Sequence, residues 1–70
     1  MAESVYKIIE LVGTSPDSWE KAAKAAVERA GGSLRDLRVA EVMTLDMTVE
    51  DNKVSLYRAK IKLSFKYEEG

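Results

Sequence analysis

The chain has 70 residues, with 11 basic and 12 acidic side chains for a net charge of -1, and it contains neither cysteine nor histidine. Disulfides, thiol nucleophiles, zinc fingers and histidine acid–base chemistry are therefore excluded, the charge gives no general attraction to nucleic acid, and any metal must be held by carboxylates, hydroxyls or carbonyls, the donors of calcium and magnesium. No apolar run approaches the ~20 residues of a membrane span and no signal-peptide pattern opens the sequence, so one cytoplasmic domain over 1–70 is expected, near the size at which a lone core is marginal without association.

Val5 to Val12 is rich in β-branched and aromatic residues and ends at Gly13, which predicts a first strand with apolar residues on both faces. A helix is predicted next, with Ser15 as N-cap, Pro16 at the first helical position, Asp17 at the positive end of the dipole and a stop at Gly31-Gly32. Its apolar face is Trp19, Ala22, Ala23, Ala26, Val27 and Ala30, and its wet face carries Glu20/Lys24 and Lys24/Glu28 at i,i+4 spacing. Small residues dominate the inward stripe, so the sheet beneath lies close, and Trp19 reads as a core residue. Ser33 to Leu37 is a connection whose two leucines plug the sheet edge.

Arg38 to Val49 reads as a second strand whose imperfect alternation calls for a bulge near Thr44, and Glu50 to Lys53 as a turn with a left-handed backbone at Asn52. Strand 3, Val54 to Tyr67, alternates cleanly: Tyr57, Ala59, Ile61, Leu63, Phe65 and Tyr67 face the core, and Arg58, Lys60, Lys62, Ser64 and Lys66 face away. The order β-α-β-β with a right-handed crossover puts strand 3 antiparallel between strands 1 and 2, sheet order 1-3-2. Strands of about a dozen residues span roughly 40 Å, a helix of about 15 residues only about 22 Å. The overhang, carrying Met43, Leu45, Met47 and Val49, predicts an obligate oligomer.

Glu41 and Asp46 interrupt an otherwise apolar strand and are candidate metal ligands; the competing reading pairs them with Arg38, Arg58 or a strand-3 lysine across subunits. Glu50-Asp51 at the turn reads first as solvation. The stripe of Arg58, Lys60, Lys62 and Lys66 reads as a solvated or ion-paired face, with a phosphate or coenzyme A as the alternative anion. No nucleophile with an adjacent base can be assembled, so enzyme activity is not expected.

Val5-Tyr6-Lys7, Gly13-Thr14-Ser15-Pro16 with the helix behind it, Leu37, Glu41-Val42 and Ser64-Phe65-Lys66 together resemble the dodecins over nearly the whole chain. The resemblance implies an α+β protomer, a three-stranded antiparallel sheet wrapped around one helix, assembling as a hollow homododecamer that binds flavin non-enzymatically. Where flavin dodecins carry a stacking tryptophan this chain has Val39, and where they carry a flavin-bonding glutamine it has Arg58, a cation without acceptors. Flavin storage is therefore not expected. Ser15-Pro16-Asp17-Ser18-Trp19-Glu20, Arg38-Val39-Ala40, Asp46-Met47 and Tyr57-Arg58 are more similar to the calcium-binding dodecin subgroup. That likeness implies a dodecamer that holds an ion in place of flavin; calcium, looser in geometry, is expected ahead of magnesium, held by carboxylates gathered from several copies, and Asp46 and Glu41, flanked by apolar residues, rank before Glu50 and Asp51 at the wet turn. A flavin store with a degenerate site, or a shell without cargo, are the alternatives.

Overall fold

A computed structural model describes residues 3–67. Elements follow in the order β1 (Tyr6–Ser15), α1 (Trp19–Gly31), β2 (Leu37–Glu50) and β3 (Lys53–Lys66). The sheet order is β1-β3-β2 with both neighbours antiparallel to β3, as the crossover argument requires. Tyr67, expected to end strand 3 on the core side, lies just past β3 and is exposed.

The start of the helix differs from the sequence reading. Ser18 is the N-cap, its side chain accepting the Lys21 N–H at 3.1 Å, and Pro16 lies in the bend before it. Ser15 closes β1, buried, and takes the Asp17 N–H on its hydroxyl at 3.0 Å. A hydroxyl at Ser15 and one at Ser18 carry the same capping signal; β1 wins Ser15 because its ladder with β3 continues to Tyr57. On the wet face, the ion pairs are Lys21–Asp17 at 3.2 Å and Lys24–Glu28 at 4.0 Å.

The core is small. Ala22, Ala26 and Ala30 of α1 pack on Ala59, Ile61 and Leu63 of β3, with Ile9, Leu11, Ala23, Val27, Leu34 and Leu37 partly buried around them. Burying a side chain such as Ile61 or Leu63 contributes about 1.5–3 kcal/mol, and alanines contribute far less. Trp19 is half-buried at the helix start, outside that core, because the first helical residue stands over the far end of the β2–β3 hairpin.

The molecule measures 55 × 20 × 15 Å, and α1 packs on β1 and β3 while barely reaching β2. Every residue of β2 except Leu37 and Thr48 is exposed, including Val39, Val42, Met43, Leu45, Met47 and Val49. The β2–β3 turn places Asp51 and Asn52 at φ 53° and 63°, a pair of left-handed residues matching the twist of a two-residue hairpin. Beyond it β2 and β3 slip register three times, between Thr48 and Val49, between Val42 and Thr44, and between Leu37 and Val39. The middle slip is the bulge expected near Thr44; it leaves Met43 without a partner and lets Val42 and Leu45 share one face. At the first slip the Thr48 hydroxyl accepts the Leu56 N–H at 3.0 Å.

Gly13 sets the helix-to-sheet distance. A Cβ built there would lie 2.0 Å from the Ala22 carbonyl oxygen and 3.0 Å from the Ala26 side chain. The obstacle is backbone, so neither side can yield without moving the helix. Gly13→Ala is expected to cost about 3 kcal/mol by overpacking; urea unfolding at fixed chain concentration checks this, and an unchanged midpoint contradicts it.

Candidate functional site

Cα partners in an antiparallel ladder share a face, so the register sorts the side chains. The face toward α1 holds Ile9–Leu63–Ala40, Leu11–Ile61–Val42 and Gly13–Ala59–Leu45 across the three strands. The opposite face holds Ile8–Ser64–Val39, Glu10–Lys62–Glu41, Val12–Lys60–Thr44 and Thr14–Arg58–Asp46. Glu41, Asp46 and Arg58 stand on this second, open face, whereas Glu50 ends β2 and Asp51 lies in the turn.

The basic stripe is interleaved with acids. Lys62 lies between Glu10 and Glu41, and Arg58 lies beside Asp46. Lys60, flanked by Val12 and Thr44, and Lys66, opposite Tyr6, have no acidic partner across the ladder.

Asp46 and Arg58 form the best-defined contact of the face. Arg58 Nε donates to Oδ1 at 2.7 Å and its terminal nitrogen to Oδ2 at 2.9 Å, a bidentate pair. Hydrogen bonding from Arg58 holds the Asp46 carboxyl below the usual carboxylate range; burial opposes this, and the charges of Arg58 and Lys60 add to it. The same bond raises the Arg58 guanidinium further above its ordinary value. Both side chains remain nearly half exposed, so the pair is screened by water and salt.

Trp19 ties the helix to this pair. Its Nε1–H donates to the Asp46 carbonyl at 3.0 Å, and its ring meets Tyr57 edge-on with centroids 5.1 Å apart. Trp19 also walls a groove of about 720 Å³ between α1 and β2, lined by Ala23, Lys24, Val42 and Leu45 among others.

Of the residues predicted as sites, Asp46 and Arg58 meet within one chain, but the flavin pair and the metal pair do not. Val39 stands opposite Ser64 and Arg58 six residues further along β3, about 20 Å away at ~3.3 Å per residue. Glu41 and Asp46, opposite Lys62 and Arg58, are by the same measure about 13 Å apart. Among the described residues no three carboxylates cluster closely enough to hold a metal ion. The donor chemistry suits a hard cation, but one chain supplies fewer ligands than the six to eight oxygens calcium takes. Sequence reasoning missed Glu10 and the Trp19–Asp46 link; strand alternation alone places Glu10 outward, whereas the link depends on register.

The dodecin family model matches residues 5–68. The chain belongs to the dodecin family. The calcium dodecin of Mycobacterium tuberculosis is 52% identical over 63 residues, covering 90% of this chain and 89% of that protein. Its crystal structure, described as having a novel calcium-binding site, superposes with a TM-score of 0.83 at 50% identity over 96% of each chain. The dodecin of Thermus thermophilus is 40% identical over 65 residues, 93% of this chain and 94% of that one, and the Streptomyces coelicolor dodecin superposes with a TM-score of 0.92 at 38% identity over the whole of both chains. These dodecins confirm the protomer fold that the strand order implies.

The depressed Asp46 carboxyl makes a signed prediction for this dodecin. A lowered folded-state pKa gives stability that is present above the unfolded value and lost as pH falls through the folded one. The melting-temperature gap between the natural chain and Asp46→Asn is therefore open at neutral pH and closes below the ordinary aspartate value of 3.8. A gap that is constant from pH 7 to about pH 2 contradicts the pairing.

Proposed function

We propose that this dodecin-family chain sequesters a hard divalent cation, calcium ahead of magnesium, as a closed homo-oligomer of the dodecameric type, and that it does so without catalysis. The observation that carries the reading is the open sheet face. It holds Glu10, Glu41 and Asp46, which form no group of three able to hold an ion within one chain among the described residues, on a sheet whose edge strand is uncovered. Carboxylates of this kind complete an ion site only when copies meet around a symmetry axis. Similarity to the calcium dodecin over nine-tenths of the chain supports the same cargo. The absence of cysteine and histidine supports a binding role over an enzymatic one.

Flavin ranks behind calcium because of Val39. That side chain is 59% exposed on the open face and aliphatic, so it offers no ring for an isoalloxazine to stack on, a loss of about 1–3 kcal/mol by analogy with base stacking.

Assembly follows from the core. Four of its six fully buried apolar residues are alanines, while twelve large apolar side chains stay exposed, among them Ile8, Val12, Val42, Leu45 and Met47. A core this small does not hold a 70-residue chain on its own. Light scattering is expected to find a particle of about twelve chains with no stable monomer at micromolar concentration, folding and assembly being inseparable; a folded monomer refutes the assembly.

Calcium binding is tested by calorimetry on chelator-stripped oligomer. The natural chain is expected to give a calcium heat larger than that of magnesium, diminished by Glu41→Gln and by Asp46→Asn. No heat, or heat that survives both substitutions, places the function elsewhere.

A further inference from the structure

We propose that residues 44–48 of β2 form a two-position element, able to sit against β3 in either of two registers, and that the Asp46–Arg58 ion pair is the latch that holds it in the one observed. The inference goes beyond the cargo reading above and stands without it.

Two bulges of opposite sense bracket the stretch. On the turn side Val49 pairs with Val54 and Thr48 with Leu56, which leaves Ser55 of β3 over; on the far side Thr44 pairs with Lys60 and Val42 with Ile61, which leaves Met43 of β2 over. One surplus residue on each strand cancels the other. Sliding residues 44–48 by one place therefore heals both bulges, pairing Thr48 with Ser55 and Met43 with Lys60, while the turn and the pairs from Val42 to Val39 stay where they are. The slide turns every side chain of the stretch to the other face. Asp46 goes from Arg58 to Tyr57, on the α1 side, and Leu45 and Met47 come round to the open face opposite Arg58 and Leu56. Latched, the stretch shows its neighbours a carboxylate; released, it shows them two apolar side chains.

Burial chooses only weakly between the two. Leu45 is 48% and Met47 44% exposed where they stand, and register is weakly specified where neither face is dry. The backbone does not choose either. Trp19 donates to the Asp46 carbonyl at 3.0 Å, but after a one-place slide the Leu45 carbonyl takes that position, so the indole holds the strand's path and not its register. The choice falls to side-chain contacts that exist in one register alone. Arg58 takes both Asp46 oxygens, at 2.7 and 2.9 Å, and the Thr48 hydroxyl accepts the Leu56 N–H at 3.0 Å. The ion pair is the larger of these contacts, a bidentate and charge-assisted one.

Register is read by disulfide trapping in a chain that has no cysteine of its own. Antiparallel partners stand about 4.5–5.5 Å apart at Cα, within disulfide reach, whereas residues one place off register point to opposite faces and are not bridged. Thr44→Cys/Lys60→Cys reports the observed register, and Met47→Cys/Leu56→Cys the slid one, in which alone those two are partners. In the assembled oligomer under oxidised glutathione, with Asp46 and Arg58 in place, the first pair is expected to close fast and the second slowly. Non-reducing electrophoresis separates closure within a chain from links between copies. Arg58→Gln and Asp46→Asn are each expected to speed the second pair roughly two- to fivefold, the factor an exposed ion pair is worth. Together they should speed it no more than either alone, since both remove one contact. Val42→Cys/Lys62→Cys, one place off register beyond the Met43 bulge, is expected to stay slow in every background. A second pair that never closes overturns the two-position model. One that closes at the same rate in all backgrounds, or only in step with Val42→Cys/Lys62→Cys, overturns the latch. Asp46→Asn, which keeps the side chain's size, carries the test if light scattering finds that Arg58→Gln does not assemble.

Discussion

The approach of α1 to β1 is the constraint on which the rest depends. Gly13 leaves room for the Ala22 carbonyl, and Ala22, Ala26 and Ala30 let the helix settle against Ala59, Ile61 and Leu63. A helix seated this closely over β1 and β3 touches β2 at its start, through Trp19, and leaves most of that strand uncovered. With 13 residues it spans about 20 Å, while the 14-residue strands of the hairpin run about twice as far. The same packing that stabilises one end of the sheet leaves a strand of valines, leucine and methionines facing water. The assembly proposed above would bury that strand, and the need for it begins at the point where glycine meets alanine.

The second determinant is the pair of register slips that bracket the middle of β2. Counting outward from the Asp51-Asn52 turn without a bulge would set Asp46 opposite Tyr57. The slip between Thr48 and Val49 moves it one place, opposite Arg58, and the slip at Met43 restores the original pairing, so that Glu41 meets Lys62. Between the two slips, Asp46 and Arg58 share a face. Trp19 benefits from the same displacement, since it closes on Tyr57 and the Asp46 carbonyl together.

This explains what the sequence made legible. From Tyr57 onward strand 3 alternates without a break, so its buried set, Ala59, Ile61 and Leu63, could be read directly; the helix stripe and the strand order followed from period and handedness. The start of the helix could not be settled, because Ser15 and Ser18 both offer a hydroxyl and only the β1–β3 ladder decides between them. Glu41 and Asp46 stood out as acidic breaks in an apolar strand, yet their partners depend on bulges. A bulge is a matter of one unpaired residue. It leaves only an irregularity in the alternation, enough to suggest its presence near Thr44 and too little to give the register on either side.

Geometry also bears on how ligand choice relates to assembly. Val39 and Arg58, the positions that the resemblance sets apart from a flavin-type dodecin, sit on the same open face about 20 Å apart along β3. A flavin ring is shorter than that distance. Within one chain, then, no single ligand can meet both residues, and the changes cannot compensate each other directly. On the proposed assembly, they can act on one ligand where the face of one copy lies against the face of another. Losing an aromatic at Val39 removes a stacking surface from one side of such a contact, and placing the Asp46–Arg58 pair on the other supplies charge in its stead. On the proposed assembly, the exchange of ring for ion is a change made at an interface, and the apolar strand that forces the copies together is also what brings its two halves into one site.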